Sequence, residues 1–83
     1  MAKLSKIDEV AIQIVAITME LQNHFECRTE LKIYKTYVSL NVCFYKNITN
    51  LDVINSICPK ADEFHFYAQD DCVHLCLDFY LED

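Results

Sequence analysis

Residues 30–45 read ELKIYKTYVSLNVCFY. Apolar and polar residues alternate through this stretch, the signature of a β-strand with one buried face, and the alternation resumes after Lys35-Thr36. It therefore predicts a β-hairpin. The pattern returns at residues 63–80, EFHFYAQDDCVHLCLDFY. Both stretches begin Glu-apolar-basic/His-apolar-Tyr and end Val-x-Leu-x-apolar-x-Phe-Tyr, with two extra residues in the middle of the second.

In the first hairpin Cys27, Thr29, Leu31 and Ile33 share one face with Val38, Leu40, Val42 and Phe44. A two-residue turn at Lys35-Thr36 pairs Ile33 with Val38 and Leu31 with Leu40. Matching apolar faces in this way fixes register, because a one-residue slip would turn every side chain over. Lys-Thr is a poor type I′ pair, so a longer loop of the same parity is the alternative. In the second hairpin Phe64, Phe66 and Ala68 face the core with Val73, Leu75, Leu77, Phe79 and Leu81. A tight Asp70-Asp71 turn pairs Phe66 with Leu75. The first hairpin's register pairs Phe66 with Val73 instead, and both keep the apolar face inward.

A helical segment precedes each hairpin. Ser5 is placed to cap the first, with Asp8 and Glu9 at the positive end of its dipole. Ile7, Val10, Ile14, Ile17, Leu21 and Phe25 recur at helical spacing. Ile12, Val15, Ala16 and Met19 widen that stripe beyond what one packing face needs. A homodimer through this first helix is one expectation from the excess. Thr49 or Asn50 caps a short second helix bearing Leu51, Ile54, Ile57 and Cys58, which Pro59 ends. The order is α-β-β-α-β-β, a tandem αββ repeat over about residues 5–45 and 49–82. The expected fold is a single α+β domain over residues 1–83. In it a four-stranded antiparallel sheet carries both helices on one face.

Composition narrows the functional classes. The chain has no glycine. Phosphate-binding loops, dinucleotide-binding turns and nucleophile elbows need glycine for close backbone approach or positive φ, so those classes are nearly excluded. A net charge of −6 disfavours a phosphate backbone as a direct partner. Five cysteines, an odd number, follow an opening MAKLSKIDE that lacks an apolar leader core, so free thiols in a reducing cytoplasm are expected. No apolar run approaches the ~20 residues of a membrane span.

The polar parity of both hairpins collects the candidate site residues. Tyr34, Tyr37, Tyr45, Tyr67 and Tyr80 all fall on it, with Arg28 and Asp78. Tyrosine offers broad contact area with a polar tip and is enriched at protein interfaces. The acidic turn Asp70-Asp71 borders this face. His65, His74 and Cys76 share the parity and form a weak metal-ligand set, with no C-x-x-C or H-x-x-x-H spacing behind it. Cys76 beside His65 and Asp78 would also serve as an activated thiol, but an open sheet face has neither walls nor oxyanion donors. The expectation is a small, acidic, non-catalytic, cytoplasmic protein-interaction module without cofactor. An inhibitor or adaptor of the phage or mobile-element kind would fit, its partner a larger protein with a basic surface, such as one that processes nucleic acid. A small-ligand or metal-binding protein and a structural homo-oligomer are the alternatives.

Overall fold

A computed structural model describes residues 5–45, 51–70 and 72–81. The expected connection at 46–50 with its Thr49 or Asn50 cap, Asp71 of the second turn, and the acidic end at 82–83 lie outside them. Helix α1 spans Lys6–His24, strands β1 and β2 span Cys27–Ile33 and Tyr37–Phe44, and helix α2 spans Leu51–Ile57. A 3₁₀ turn, Cys58–Lys60, leads to β3, Glu63–Gln69, and β4, Cys72–Tyr80. The fold is α+β, with a four-stranded antiparallel sheet in the order β1-β2-β4-β3.

Local chemistry starts and stops these elements. Ser5 is the N-cap of α1, and its hydroxyl oxygen accepts the Asp8 N–H at 3.2 Å. That satisfies one of the donors a helix start leaves orphaned. Phe25 ends the helix in extended backbone, and its N–H reaches the Leu21 carbonyl. Pro59 does not stop the chain dead after α2. It sits at the start of the 3₁₀ turn, where a missing N–H costs nothing.

The first hairpin adopts the tight register, with Ile33 opposite Val38 and Leu31 opposite Leu40. Tyr34 N–H bonds the Tyr37 carbonyl at 2.9 Å and closes a two-residue loop. Among the described residues only Asp70 has positive φ, at 52°, so Lys35-Thr36 makes its turn without the left-handed region. The second hairpin also takes its tight register, pairing Phe66 with Leu75 and Gln69 with Cys72. Asp70 supplies the left-handed residue that glycine would usually supply; its short polar side chain tolerates that region.

One cluster of buried residues fills the core. It joins Val10, Ile14, Ile17 and Leu21 of α1 and Val53, Ile54 and Ile57 of α2 to Val38, Leu40, Val42 and Phe44 of β2 and Leu75, Leu77 and Phe79 of β4. Each large side chain removed from water here contributes roughly 1.5–3 kcal/mol.

The expected inward set needs correction at its ends. Leu31 is 47% exposed although its partner Leu40 is 2% exposed, and Phe66 is 45% exposed although Leu75 is 1%. Ile33 and Phe64 are exposed as well, and β3 is exposed along its whole length. Buried residues of both helices share one cluster with the two inner strands, whereas β3 is exposed and β1 is half-buried only at Cys27 and Thr29. In α2 and the turn after it, Ile54, Ile57 and Cys58 are buried as expected, but Leu51 is exposed and Val53 is buried instead. Ile7, Ile12, Val15 and Met19 of α1 stand in solvent.

Candidate interaction surface

The sheet's other side is built by strand parity. Antiparallel register sets Tyr37 against Tyr80, Asn41 against Cys76, Cys43 against His74 and Tyr67 against His74. All five tyrosines of the outward set are on this side, but they form two groups. At one end Tyr34 stacks on Tyr37, with ring centroids 4.6 Å apart and planes 17° apart, and Tyr80 lies across from Tyr37. At the other end Tyr67 stacks on His74 at 5.1 Å. Tyr45 and Arg28 flank a shallow depression of about 310 Å³ that His74 also lines. Tyr34, Tyr45, Tyr67 and Tyr80 are exposed, and Tyr37 is half-buried.

Between the two groups lies a polar patch. Ser39, the one buried polar residue among the described residues, contacts the Cys76 sulfur at 3.2 Å. Cys76 Sγ also lies 3.6 Å from Asp78 Oδ1. Burial pushes the Cys76 thiol up and nearby Asp78 pushes the same way, against the hydrogen bond from Ser39. Thiol activation needs the opposite shift, because the thiolate is the nucleophile.

His65, His74 and Cys76 do not share one focus. His74 is committed to the Tyr67 ring. The groups that converge are Glu63, His65 and Asp78, whose potential ligand atoms all lie within 4.8 Å of one another. Glu63 stands directly opposite Asp78 in the ladder. The tight register of the second hairpin implies that pairing, so Glu63 was within reach of parity reasoning once the turn was settled. Asp62 adds a third carboxylate, which accepts the Tyr80 N–H at 2.7 Å. On β1, Arg28 and Lys32 flank Glu30, whereas Asp62, Glu63 and Asp78 gather where β3 begins and β4 ends, with Asp70 at the far turn. The β3–β4 side of the face is therefore acidic, while β1 carries charges of both signs.

That acidic edge holds the Tyr80 phenol in its neutral form. A hydrogen bond to Glu63, desolvation and the charges of Glu63, Asp62 and Asp78 push its pKa from 10.0 up to about 12. A folded-state pKa above the unfolded value stabilises the fold below pH 10, and that contribution is lost as pH rises toward 12. Ultraviolet titration of the folded protein should show one tyrosine ionising near 12, and Glu63→Gln should move that step down toward 10. An unchanged step in the variant would refute the assignment.

Among the described residues no helix is long and apolar enough to cross a membrane. Searches for similar proteins found no match to any family model, to any curated protein or to any solved structure.

Proposed function

We propose that the protein is a non-catalytic interaction module that lays its bare sheet face on a larger protein. The observation behind this reading is the set of four exposed tyrosines on one uncovered face, two of them already stacked on neighbours. Stacking holds a ring in place before a partner arrives, so less side-chain freedom is lost on binding. The acidic group Asp62, Glu63 and Asp78, with Asp70 at the far turn, favours a partner surface that is basic where it meets β3 and β4, and complementary charge speeds such encounters. A nucleic-acid-processing protein offers such a surface, with this chain acting as inhibitor or adaptor in the cytoplasm rather than touching nucleic acid itself. The tandem αββ reading belongs to the same proposal: two related halves would give the face its two aromatic ends.

Capture from the native cell tests it. Tagged protein carrying Tyr67→Ala and Tyr80→Ala should recover its partner about tenfold less well than the parent. Both positions are exposed, so folding should persist. Equal recovery by the folded double variant would overturn the chosen surface.

A further inference from the structure

Leu31 and Ile33 point to the helix-bearing side of β1, yet α1 does not cover them, and Ile33 is 74% exposed. With Ile7, Ala11 and Val15 of α1 they line a groove of about 260 Å³ whose walls are almost wholly apolar. Ile7, Ala11 and Val15 follow one another at four-residue spacing and so form a single ridge along the helix.

The open edge of β1 runs beside this groove. Tyr34 N–H donates to the Tyr37 carbonyl and Tyr45 N–H to the Glu26 carbonyl. Even-numbered residues of β1 are thus the ones bonded to β2. Alternation along an antiparallel ladder then aims the N–H and C=O groups of Cys27, Thr29, Leu31 and Ile33 away from the sheet.

We propose that a second copy of the chain pairs with this edge, antiparallel, with Leu31 on the two-fold axis. Outward groups must meet outward groups, which leaves registers differing by steps of two residues. Full overlap of the strand would set Glu30 against Glu30 and Arg28 against Lys32 of the other copy, and like charges directly opposite are destabilising. Centring on Leu31 removes both conflicts. Leu31 then faces Leu31, Thr29 faces Ile33, Arg28 lies opposite the Tyr34 ring, and Glu30 meets Lys32 of the second copy twice. Neither Glu30 nor Lys32 faces an opposite charge within its own sheet, since they lie across from Asn41 and Ser39. The same step centred on Thr29 also matches charges but leaves Ile33 beyond the paired strand. The other open edge is less suited to a second copy. In β3 the register that pairs Phe64, Phe66 and Ala68 sets Asp70 against Asp62 of the other molecule.

Ile7, Val15, Leu31 and Ile33 together expose on the order of 400 Å², about the size of the largest apolar patch on an ordinary monomer, a patch that is often functional. The strand edge and its charged row bring the buried surface toward the ~800 Å² per partner of an ordinary stable pair. The product is a continuous eight-stranded sheet whose tyrosine face remains open. This pairing stands independently of the sheet-face reading, and its test reads mass rather than capture.

Sedimentation velocity of the full chain, from micromolar to near-millimolar concentration, decides it. The parent should dimerise. Ile33→Asp and Glu30→Lys should each weaken the dimer by about tenfold or more. The double swap Glu30→Lys with Lys32→Glu should restore it to within about threefold, because the two pairs are rebuilt with their signs exchanged. A parent that stays monomeric, or a dimer that ignores Glu30→Lys, overturns the proposal. A double swap that stays weak overturns the Leu31-centred register, since charges matched about Thr29 would clash after the exchange. Should Ile33→Asp fail to fold, the charge-swap series decides between these outcomes by itself.

Discussion

Leu40→Ala should lower the unfolding free energy by about 3 kcal/mol, whereas Leu31→Ala, its partner across the hairpin, should cost about 1 kcal/mol or less. The two leucines are opposite each other in register and share a strand face. They differ in what lies above them. Leu40 sits within the cluster formed with α1 and α2, and truncating it leaves a cavity that rigid neighbours cannot fill. Leu31 lines an open groove, so a smaller side chain there loses little burial. Leu75 and Phe66 repeat the contrast in the second hairpin. Urea unfolding of the four alanine variants in protein dilute enough to be monomeric measures it, read as a shift in midpoint at constant slope. Equal losses at Leu31 and Leu40 would mean that the helices cover the whole sheet.

The second large effect is expected at Ile57. Helix α2 has seven residues, far too few to persist without packing. Its hold on the sheet is Val53, Ile54 and Ile57, and Ile57 is wholly buried. Ile57→Ala should therefore cost about 2–5 kcal/mol, a large share of the 5–15 kcal/mol typical of a folded domain. A local reporter adjoins it. Cys58 is buried and free, and burial pushes its thiol up, so it should react slowly with thiol reagents in the parent. In the Ile57→Ala variant Cys58 should label much faster. Unchanged labelling together with unchanged stability would show that α2 does not depend on that anchor.

Strand parity made most of this architecture readable from the sequence. Each apolar residue of β2 that alternation assigned to the core is buried, as are Leu75, Leu77 and Phe79 of β4, and Ser5 caps α1 as its position suggested. The second turn was ambiguous because both registers hide the same apolar face. Positive φ at Asp70, a backbone property of one residue, accompanies the tight one. Coverage was not readable. Alternation says which way Leu31, Ile33, Phe64 and Phe66 point, but not whether anything lies over them. The buried cluster joins both helices to β2 and β4 alone, so inward-pointing residues of the outer strands stay uncovered beside α1, which is long, as well as beside α2, which is short. The tyrosines illustrate the same limit. Parity placed all five on one side, but their division into a Tyr34–Tyr37–Tyr80 group and a Tyr67–His74 stack depends on strand order, which joins β2 to β4.

Amide hydrogen exchange, followed residue by residue in dilute protein, tests most directly whether β2 and β4 form the roofed centre and β3 a bare edge. Leu81 N–H bonds the Thr36 carbonyl and so fixes which residues of β4 face β2. It follows that Glu63, His65, Tyr67 and Gln69 bond to β4, while Phe64, Phe66 and Ala68 present their N–H groups to water. The account predicts slow exchange at every ladder amide of β2 and β4, with slow and fast amides alternating along β3. Uniform protection through β3, or the same alternation appearing in β4, would contradict it.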